Sequence, residues 1–250
     1  MTDTPDERVR VFQDLDALSR AAAELFTTRA KRCVASQGRF AVALSGGATP
    51  RGLYALLGST PFCEKTEWKR THIFWADERC VPGDHPESNF KLAVDEFLSK
   101  IIIPKENIHR IKGEEGPGRA AQDYEEELRS FFGPAFPVFD LIILGAGEDG
   151  HTASLFPGSA SLHERARFAL PVHLEPPKLD RVTLTLPVLD HAAEVLFLAS
   201  GRAKAGIVHA ILENGNPMHY PAGLVRPVRG SITWFIDRQA AGLLTEHGHT

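Results

Sequence analysis

The chain has few cysteines, and none of them is paired at metal-binding spacing. Its 250 residues include three, Cys33, Cys63 and Cys80, and no C-x-x-C motif. An odd number without that motif argues against a disulfide framework or a structural zinc site, and it suits a reducing cytosol. A globule of this length buries roughly 70–75% of its unfolded surface, so it needs no such covalent or metal support.

Long apolar runs are missing as well. Segments such as IIIP and LIILGAG have the length of core strands and fall far short of the ~20 residues that cross a bilayer. The amino terminus, MTDTPDERVR, carries acids and no apolar stretch, which argues against a signal peptide. We therefore expect a cytoplasmic protein without a membrane partner. The tail TEHGHT, residues 245–250, is predicted to be disordered.

The chain has no marked excess of either acidic or basic residues. The formal net charge is −4 at pH 7, with 24% charged and 43% hydrophobic residues. Nucleic-acid binding usually needs a basic face, which this balance gives no reason to expect. A phosphorylated small molecule stays possible, because a local basic pocket can lie within an acidic protein. Oligomeric state is not readable from the pattern, although the lack of a heptad seam or apolar stripe favours a monomer.

Strand-like and helix-like apolar patterns alternate along the chain. Strands are predicted at 8–12, 39–44, 71–76, 138–144, 181–186, 194–199 and 231–237, with helices between most of them. This alternation predicts an α/β fold, a mostly parallel, doubly wound sheet with helices on both faces. No repeat, low-complexity tract or flexible linker interrupts the pattern, so we expect one domain over residues 1–250.

Three of the predicted strands end in segments of unusual composition. SGGATP follows strand 39–44, DERC follows strand 71–76, and GEDGH follows strand 138–144. In doubly wound sheets, ligands bind in the crevice beyond the carboxyl ends of the strands. We therefore expect the three segments to form one site.

The segment ALSGGATP has the features of an anion-binding turn. Gly46 and Gly47 permit a tight turn and a close approach of ligand to backbone, while Thr49 suits an N-cap and Pro50 the first helical position. The free N–H groups and the helix dipole would attract a phosphate there. G-K-[ST] is missing, which disfavours a nucleoside triphosphate. Composition alone leaves a plain strand–helix connection equally open.

Two cations further along the chain could complete an anion site. Arg181 begins the predicted strand RVTLTL, and Lys204 lies in SGRAKAG at the start of a predicted helix. Each of them alone is more often a solvated surface charge than a ligand-binding residue. Their participation is a hypothesis at this point.

The segment GAGEDGHTASLFPG fits two opposing interpretations. Its G-x-G-x-x-G spacing is that of a dinucleotide-binding turn, but Pro157 and Gly158 follow too closely for a long helix and Asp149 would repel a pyrophosphate. The motif also comes late, after several strands. We therefore expect a catalytic loop, in which His151 serves as base and acid and Asp149 orients its imidazole. A capping aspartate beside a structural histidine is the alternative.

The segment WADERCVP adds charged groups to the same edge. Asp77 and Arg79, at i and i+2, share one face if the strand continues to Arg79. A carboxylate can hold a sugar hydroxyl, and a guanidinium can stabilise negative charge on a reacting oxygen. Glu78 fits a salt-bridged strand end, and Ser88 and Asn89 fit a helix N-cap.

Together these motifs resemble the glucosamine-6-phosphate isomerase/6-phosphogluconolactonase family. The matching segments span nearly the whole chain in the family's order: SGGATP, FWADERCVP, ESNFKLA, FDLIILGAGEDGHTASLFPG, RVTLTLPVL, GRAKAGIV and PAGLVRP. GEDGHTASLFP beside DERCVP is the most specific part of the match. Ala48 stands where Ser is common and Ala146 where Met is common, and neither position carries a reacting group.

The resemblance implies a modified Rossmann-like fold and hydrolysis of 6-phospho-D-glucono-1,5-lactone in the oxidative pentose phosphate pathway. It implies His151 as the catalytic base, with no metal or organic cofactor. In the mechanism we expect, Asp149 orients His151, Arg79 stabilises the oxyanion, and Asp77 holds sugar hydroxyls. The resemblance assigns phosphate binding to the glycine-rich turn and two cations: Ser45, Gly46, Gly47, Thr49, Arg181 and Lys204.

Two other functions are compatible with parts of this pattern. In deaminases of the family, the loop after DGH runs into Asn-Glu-Pro, and that Glu supports the ring-opening histidine. Here Phe156 takes its place, and Arg79 stands where deaminases usually have an aromatic residue. A non-enzymatic sugar-phosphate sensor shares the architecture, but it needs no Asp-Gly-His at its pocket and the chain shows no helix-turn-helix extension.

Overall fold

The computed structural model describes residues 6–213 and 217–245. Its main sheet has seven strands in the order β1-β10-β9-β6-β2-β3-β5, and every neighbouring pair is parallel. The strands are β1 (Asp6–Phe12), β2 (Phe40–Leu44), β3 (Thr71–Trp75), β5 (Ile108–His109), β6 (Leu141–Gly145), β9 (Glu194–Ala199) and β10 (Ser231–Asp237). The predicted parallel α/β fold is confirmed.

A second, antiparallel sheet has the order β4-β8-β7. Its strands are β4 (Asp77–Arg79), β7 (Ala169–Val172) and β8 (Arg181–Leu184). The strand predicted at 181–186 was expected in the mostly parallel sheet, but it is β8 of this antiparallel sheet and ends at Leu184. A parallel neighbour needs a long crossover, usually a helix, whereas β7 and β8 are joined by a short loop that returns the chain in the opposite direction.

Eight α-helices connect these strands within the described ranges. They are α1 (Leu15–Gln37), α2 (Ala48–Leu57), α3 (Phe62–Lys65), α4 (Asn89–Glu96), α5 (Pro117–Phe132), α6 (Leu186–Asp190), α7 (Ala205–Leu212) and α8 (Pro221–Leu224). The side chain of Asp14 caps α1 by accepting a hydrogen bond from the Ala17 N–H at 2.9 Å. Gly38 ends this helix with a left-handed φ of 80°, a conformation that glycine adopts at little cost.

The centre of the main sheet is apolar and closed to solvent. Every residue of β2 and of β9 is buried, as expected for strands covered on both faces. Because the strands are parallel, the segments that follow β2, β3, β6 and β9 all emerge at one edge. This edge is where the unusual segments of the sequence meet.

Helix α2 begins two residues earlier than the sequence predicts. Its N-cap is Gly47, with φ 105° and no side-chain capping bond, so the predicted N-cap role of Thr49 is wrong. A φ of this kind is open to glycine and costly for threonine. Pro50 is then the third helical residue. It is tolerated because the first-turn N–H groups have no partner within the helix.

Two predictions concern the ends of the chain. Residues 1–5 of the segment MTDTPDERVR and residues 246–250 of the tail TEHGHT lie outside the described residues. Within the two described ranges, no helix combines the length and the apolarity required to span a bilayer.

Candidate active site

A cavity of about 350 Å³ lies at the carboxyl edge of the main sheet. Nine of the ten predicted site residues line it, and the tenth, Asp149, is hydrogen-bonded to one of those nine. The nine are Ser45, Gly46, Gly47, Thr49, Asp77, Arg79, His151, Arg181 and Lys204. The structure therefore brings together residues that are far apart in sequence, while their roles toward a substrate stay predictions.

The turn between β2 and α2 forms one wall of this cavity. The hydroxyl of Tyr54 donates to the carbonyl oxygen of Ser45 at 2.6 Å and ties the turn to its own helix. Oγ of Ser45 is buried and has no protein partner in the described residues. With the unpaired first-turn N–H groups of α2, it can donate to an anion in the cavity.

Two arginines from the antiparallel sheet face each other at the cavity. Arg79 and Arg181 are directly opposite in the β4–β8 pair, and both line the cavity. The Nε of each is buried without a protein acceptor in the described part of the chain. Burial lowers the pKa of Arg181, and the charge of Arg79 lowers it further. Two adjacent cations with unused donors favour an anionic ligand.

The third cation, Lys204, lies in a turn that follows β9. This turn is a short 3₁₀ helix, Arg202–Lys204, and the backbone N–H of Lys204 donates to the Gly201 carbonyl at 3.0 Å. The Gly201 N–H in turn donates to the carboxylate of Asp237 at 3.0 Å, and so does the hydroxyl of Ser200. Asp237, at the end of β10, thereby fixes the position of the lysine turn. No motif around Asp237 predicts this role, because a carboxylate at the end of a strand carries no local signal of a distant contact.

His151 and Asp149 form a hydrogen-bonded pair at the cavity. Nδ1 of His151 lies 2.6 Å from Oδ1 of Asp149, and the His151 backbone N–H donates to the same oxygen at 3.1 Å. Burial works to raise the pKa of Asp149, but the bonds from His151 outweigh it and leave this pKa below its ordinary value. The ring of Phe156 packs against the imidazole at 4.8 Å between centroids. The arrangement leaves Nε2 as the nitrogen available for chemistry.

Glycines shape the loop that holds this pair. The Gly147 N–H donates to the His151 carbonyl at 2.8 Å, and a side chain at Gly147 would overlap both the imidazole and Oδ1 of Asp149. Gly150 has φ 82° and packs against the ring of Tyr220. No helix follows the loop, since residues 151–158 contain only turns and a β-bridge. The dinucleotide interpretation is excluded by this geometry.

Asp77 connects the catalytic loop to the antiparallel sheet. Its Oδ2 accepts from Oγ of Ser154 at 2.6 Å and lies 3.8 Å from Arg181, and its Oδ1 accepts from Nδ2 of Asn89 at 3.2 Å. Ser154 is completely buried, and nothing in the segment TASLF predicts its contact with Asp77. Its neighbour Ala153 has φ 48°, a conformation seldom adopted by residues other than glycine. These contacts fix Asp77 relative to His151.

Glu78 anchors the start of helix α4. Its carboxylate accepts from the backbone N–H groups of Arg79, Asn89 and Phe90 at 2.7–2.8 Å and from the hydroxyl of Ser88 at 3.0 Å. The predicted salt bridge is wrong, because all of these donors are backbone or hydroxyl groups. Burial raises the pKa of Glu78, and the four hydrogen bonds act against that rise.

The two residues assigned to the cap of α4 have different roles. Ser88 is the N-cap, as predicted, and its Oγ accepts from the Lys91 N–H at 3.1 Å. Asn89 is the first helical residue, and its side chain lines the cavity. A helix needs one N-cap residue, and Ser88 fills that position. The sequence could therefore have indicated that the side chain of Asn89 has a different role.

Comparison with known proteins agrees with this geometry. A sequence profile described as glucosamine-6-phosphate isomerases/6-phosphogluconolactonase matches residues 13–234. The chain belongs to this family. It is 41% identical to the 6-phosphogluconolactonase of Homo sapiens, over 95% of this chain and 93% of that protein, and 35% identical to that of Nostoc sp., over 95% and 98%.

Solved structures of the family have the same fold. The 6-phosphogluconolactonase from Trypanosoma cruzi superposes with a TM-score of 0.87 at 28% sequence identity, covering 97% of this chain and 98% of that chain. Family membership therefore rests on sequence and architecture over nearly the full length.

Proposed function

We propose that this protein hydrolyses 6-phospho-D-glucono-1,5-lactone to 6-phospho-D-gluconate in the oxidative pentose phosphate pathway. One observation carries the proposal: a carboxylate-bound imidazole and a cationic, helix-terminal anion cradle line the same cavity of about 350 Å³. Cavities of this size bind small molecules. The 6-phosphogluconolactonases at 35–41% identity support the same substrate.

The phosphate of the lactone is bound by the turn at the start of α2. Ser45 contributes its free hydroxyl, and Gly46, Gly47 and Thr49 contribute backbone positions at the positive end of the helix. Arg181 and Lys204 complete the cradle with charge-assisted hydrogen bonds, each typically worth about 1.5–3 kcal/mol. Anchoring the phosphate holds C1 of the lactone in front of the imidazole.

Hydrolysis then needs a directed water and a stabilised oxyanion. Nε2 of His151 removes a proton from water as its oxygen attacks C1, and the carbonyl electron pair moves to the oxygen, where Arg79 stabilises the negative charge. The tetrahedral intermediate collapses, the bond from C1 to the ring oxygen breaks, and that oxygen takes the proton from His151. Asp149 keeps the proton of the imidazole on Nδ1 throughout. Asp77 holds sugar hydroxyls.

The deaminase chemistry of the family is disfavoured at one position. Ring opening in a deaminase relies on a further carboxylate, the Glu of the Asn-Glu-Pro segment, to support the histidine. Here Phe156 stands at that position and packs on His151, and the carboxylate bound to the imidazole is that of Asp149. A phenyl ring transfers no proton. Phe156 therefore supports the lactonase over the isomerase reaction.

A direct assay separates the possible functions. Fresh 6-phosphogluconolactone is mixed with the protein, and acid release is followed with a pH indicator against the spontaneous rate. We expect rapid release by the wild type and a fall of about 10²–10⁴-fold in kcat for His151→Ala, with little change in KM. Ammonia release from glucosamine 6-phosphate would support the deaminase instead, and binding of the lactone without turnover would support a sensor.

A further inference from the structure

Asn89 carries an unassigned polar group in the cavity. The residue is 3% exposed, and its Oδ1 has no hydrogen-bond partner among the described residues. Its Nδ2 is engaged, since it donates to the backbone oxygen of Asp77 at 2.8 Å and to Oδ1 of Asp77 at 3.2 Å. The opposite amide orientation would set oxygen against two oxygens, so the contacts with Asp77 fix Oδ1 as the free atom.

The amide is held rigidly beside the phosphate turn. Oδ1 of Asn89 lies against Gly46, where even a methyl group would overlap it. The backbone N–H of Asn89 is bound to Glu78 at 2.7 Å, and Ser88 caps the same helix end. The side chain of Asn89 thus lines the cavity next to the phosphate turn, with Oδ1 as its unpaired atom.

The chemistry of this acceptor restricts what it can bind. An amide oxygen accepts hydrogen bonds and donates none, so its partner must carry a hydrogen. A phosphate dianion, a lactone carbonyl and a ring ester oxygen have none to give, whereas sugar hydroxyls do. In 6-phospho-D-glucono-1,5-lactone the hydroxyl nearest to the phosphorylated arm is the one on C4.

We propose that Oδ1 of Asn89 accepts a hydrogen bond from the C4 hydroxyl of the lactone and so determines which ring form is accepted. The inference rests on the proposed lactonase function and on the phosphate lying at the Gly46 turn. In the 1,4-lactone isomer, O4 is the ring ester oxygen and has no hydrogen. Asn89 therefore selects the six-membered 1,5-lactone.

The neighbouring carboxylate of Asp77 is assigned to other hydroxyls of the sugar and does not replace Asn89 at the C4 hydroxyl. Asp77 already accepts from Asn89 and Ser154 and lies near Arg181, whereas Oδ1 of Asn89 has no protein donor. When the 1,4-lactone binds, its ring oxygen O4 faces Oδ1 of Asn89, and both buried oxygens stay without a hydrogen bond. Binding of that isomer is therefore strongly disfavoured.

The test compares two substrates on the same enzyme. kcat/KM is measured for 6-phosphogluconolactone and for its 4-deoxy analogue, prepared by oxidation of 4-deoxyglucose 6-phosphate. We expect the wild type to prefer the hydroxylated lactone by about 10- to 100-fold, and Asn89→Leu to bring the ratio close to one. The ratio is unaffected by the amount of folded enzyme, since each protein serves as its own reference.

Two further variants serve as controls for a loss of folded protein. Asn89→Asp keeps an oxygen in the place of Oδ1 but sets its second oxygen against the two oxygens of Asp77, so we expect it to lose stability while the ratio of the two substrates still shows the preference. Ser88→Ala weakens the cap of the same helix without removing the amide, and it is expected to keep the wild-type ratio whatever its stability.

Three outcomes would overturn the assignment. A wild type that hydrolyses both lactones equally well has no C4 contact, whatever the variants do. An Asn89→Leu enzyme with the wild-type ratio, and a kcat reduced equally for both substrates, would place Asn89 on the attacking water instead. A wild type that hydrolyses neither lactone would remove the proposed function itself and this inference with it.

Discussion

One oxygen of Asp149 binds both the ring and the backbone of His151. Oδ1 lies 2.6 Å from Nδ1 and accepts the His151 N–H at 3.1 Å, within a turn of three residues. The hydrogen bonds from His151 hold the pKa of Asp149 below its ordinary value, so this carboxylate is ionised at neutral pH. An ionised acceptor on Nδ1 keeps the proton there and leaves the Nε2 lone pair free to act as a base.

Replacing Asp149 with asparagine should impair turnover more than binding. The amide can present N–H to Nδ1 and so favour the wrong imidazole tautomer, and we expect kcat to fall by about 10²-fold or more with a small change in KM. Steady-state lactonase kinetics measure this. Thermal unfolding is the control, because the Asp149 side chain is 55% exposed and contributes little to packing. An unchanged kcat would remove Asp149 from the mechanism.

Lys204 and Arg181 should affect the phosphorylated substrate selectively. Loss of a charge-assisted hydrogen bond raises KM by about 10- to 100-fold in Lys204→Ala or Arg181→Ala. Unphosphorylated glucono-1,5-lactone makes no such contact, so its hydrolysis should be nearly the same in wild type and variants. If KM for both lactones rose equally, the phosphate would lie elsewhere.

Arg79 should behave differently from its cross-strand neighbour Arg181. As the oxyanion stabiliser it acts on C1 and not on the phosphate, so Arg79→Ala should lower kcat by about 10²-fold on phosphorylated and unphosphorylated lactones alike. The same pair of kinetic assays measures this. A loss confined to the phosphorylated lactone would show that Arg79 binds phosphate together with Arg181.

A methyl group at Gly147 should damage the catalytic pair directly. It would overlap Nδ1 of His151 and Oδ1 of Asp149, so Gly147→Ala is expected to lower kcat by about 10²-fold or more by displacing the base. Gly118→Ala is the matched control, because a Cβ there meets no atom within 4 Å. Full activity in Gly147→Ala would mean that the loop has a different conformation in the working enzyme.

Asp190 should make stability dependent on pH. Burial raises its pKa from the ordinary 3.8 to about 6, so between these values the folded state binds more protons than the unfolded state. Stability is therefore expected to fall as pH rises through this window. Asp190→Asn keeps an oxygen for the Arg226 N–H, bound at 2.6 Å, but carries no charge. Above pH ~6 we expect it to exceed the wild type by about 1–3 kcal/mol.

Urea unfolding from pH 4 to pH 8 measures this difference. The two proteins should differ least near pH ~4, where the wild-type carboxyl is neutral in the folded state and only about half ionised in the unfolded state. A constant difference at all pH values would mean that the amide changes packing and that ionisation of Asp190 is not responsible.

Local signals in the sequence were sufficient for most of the elements. The strands predicted at 39–44, 194–199 and 231–237 match β2, β9 and β10 closely, because burial on both faces fills these segments with apolar residues. The start of α2 was misplaced by two residues, since the capping preference of Thr49 was overridden by the turn at Gly47. The sheet to which β8 belongs was also misassigned, because periodicity identifies a strand and not its neighbour.

The residues of the candidate site also fall into two groups, those that the sequence predicts and those that it does not. His151, Asp149 and the glycine-rich turn have motifs within a few residues, and their chemistry is readable from the sequence. Asn89, Ser154 and Asp237 were missed or misassigned, since each acts through a partner between 12 and 77 residues away.

The amino-acid sequence by itself determined the reactive groups, the parallel α/β pattern and the family, because these depend on residue type and on spacing over a few turns of chain. The tertiary structure alone decided that Arg79 meets Arg181, that Ser154 holds Asp77, and that the Asn89 oxygen has no donor. Those facts depend on how strands and helices pack against one another. Packing is set by many distant side chains acting together, and no short segment contains that information.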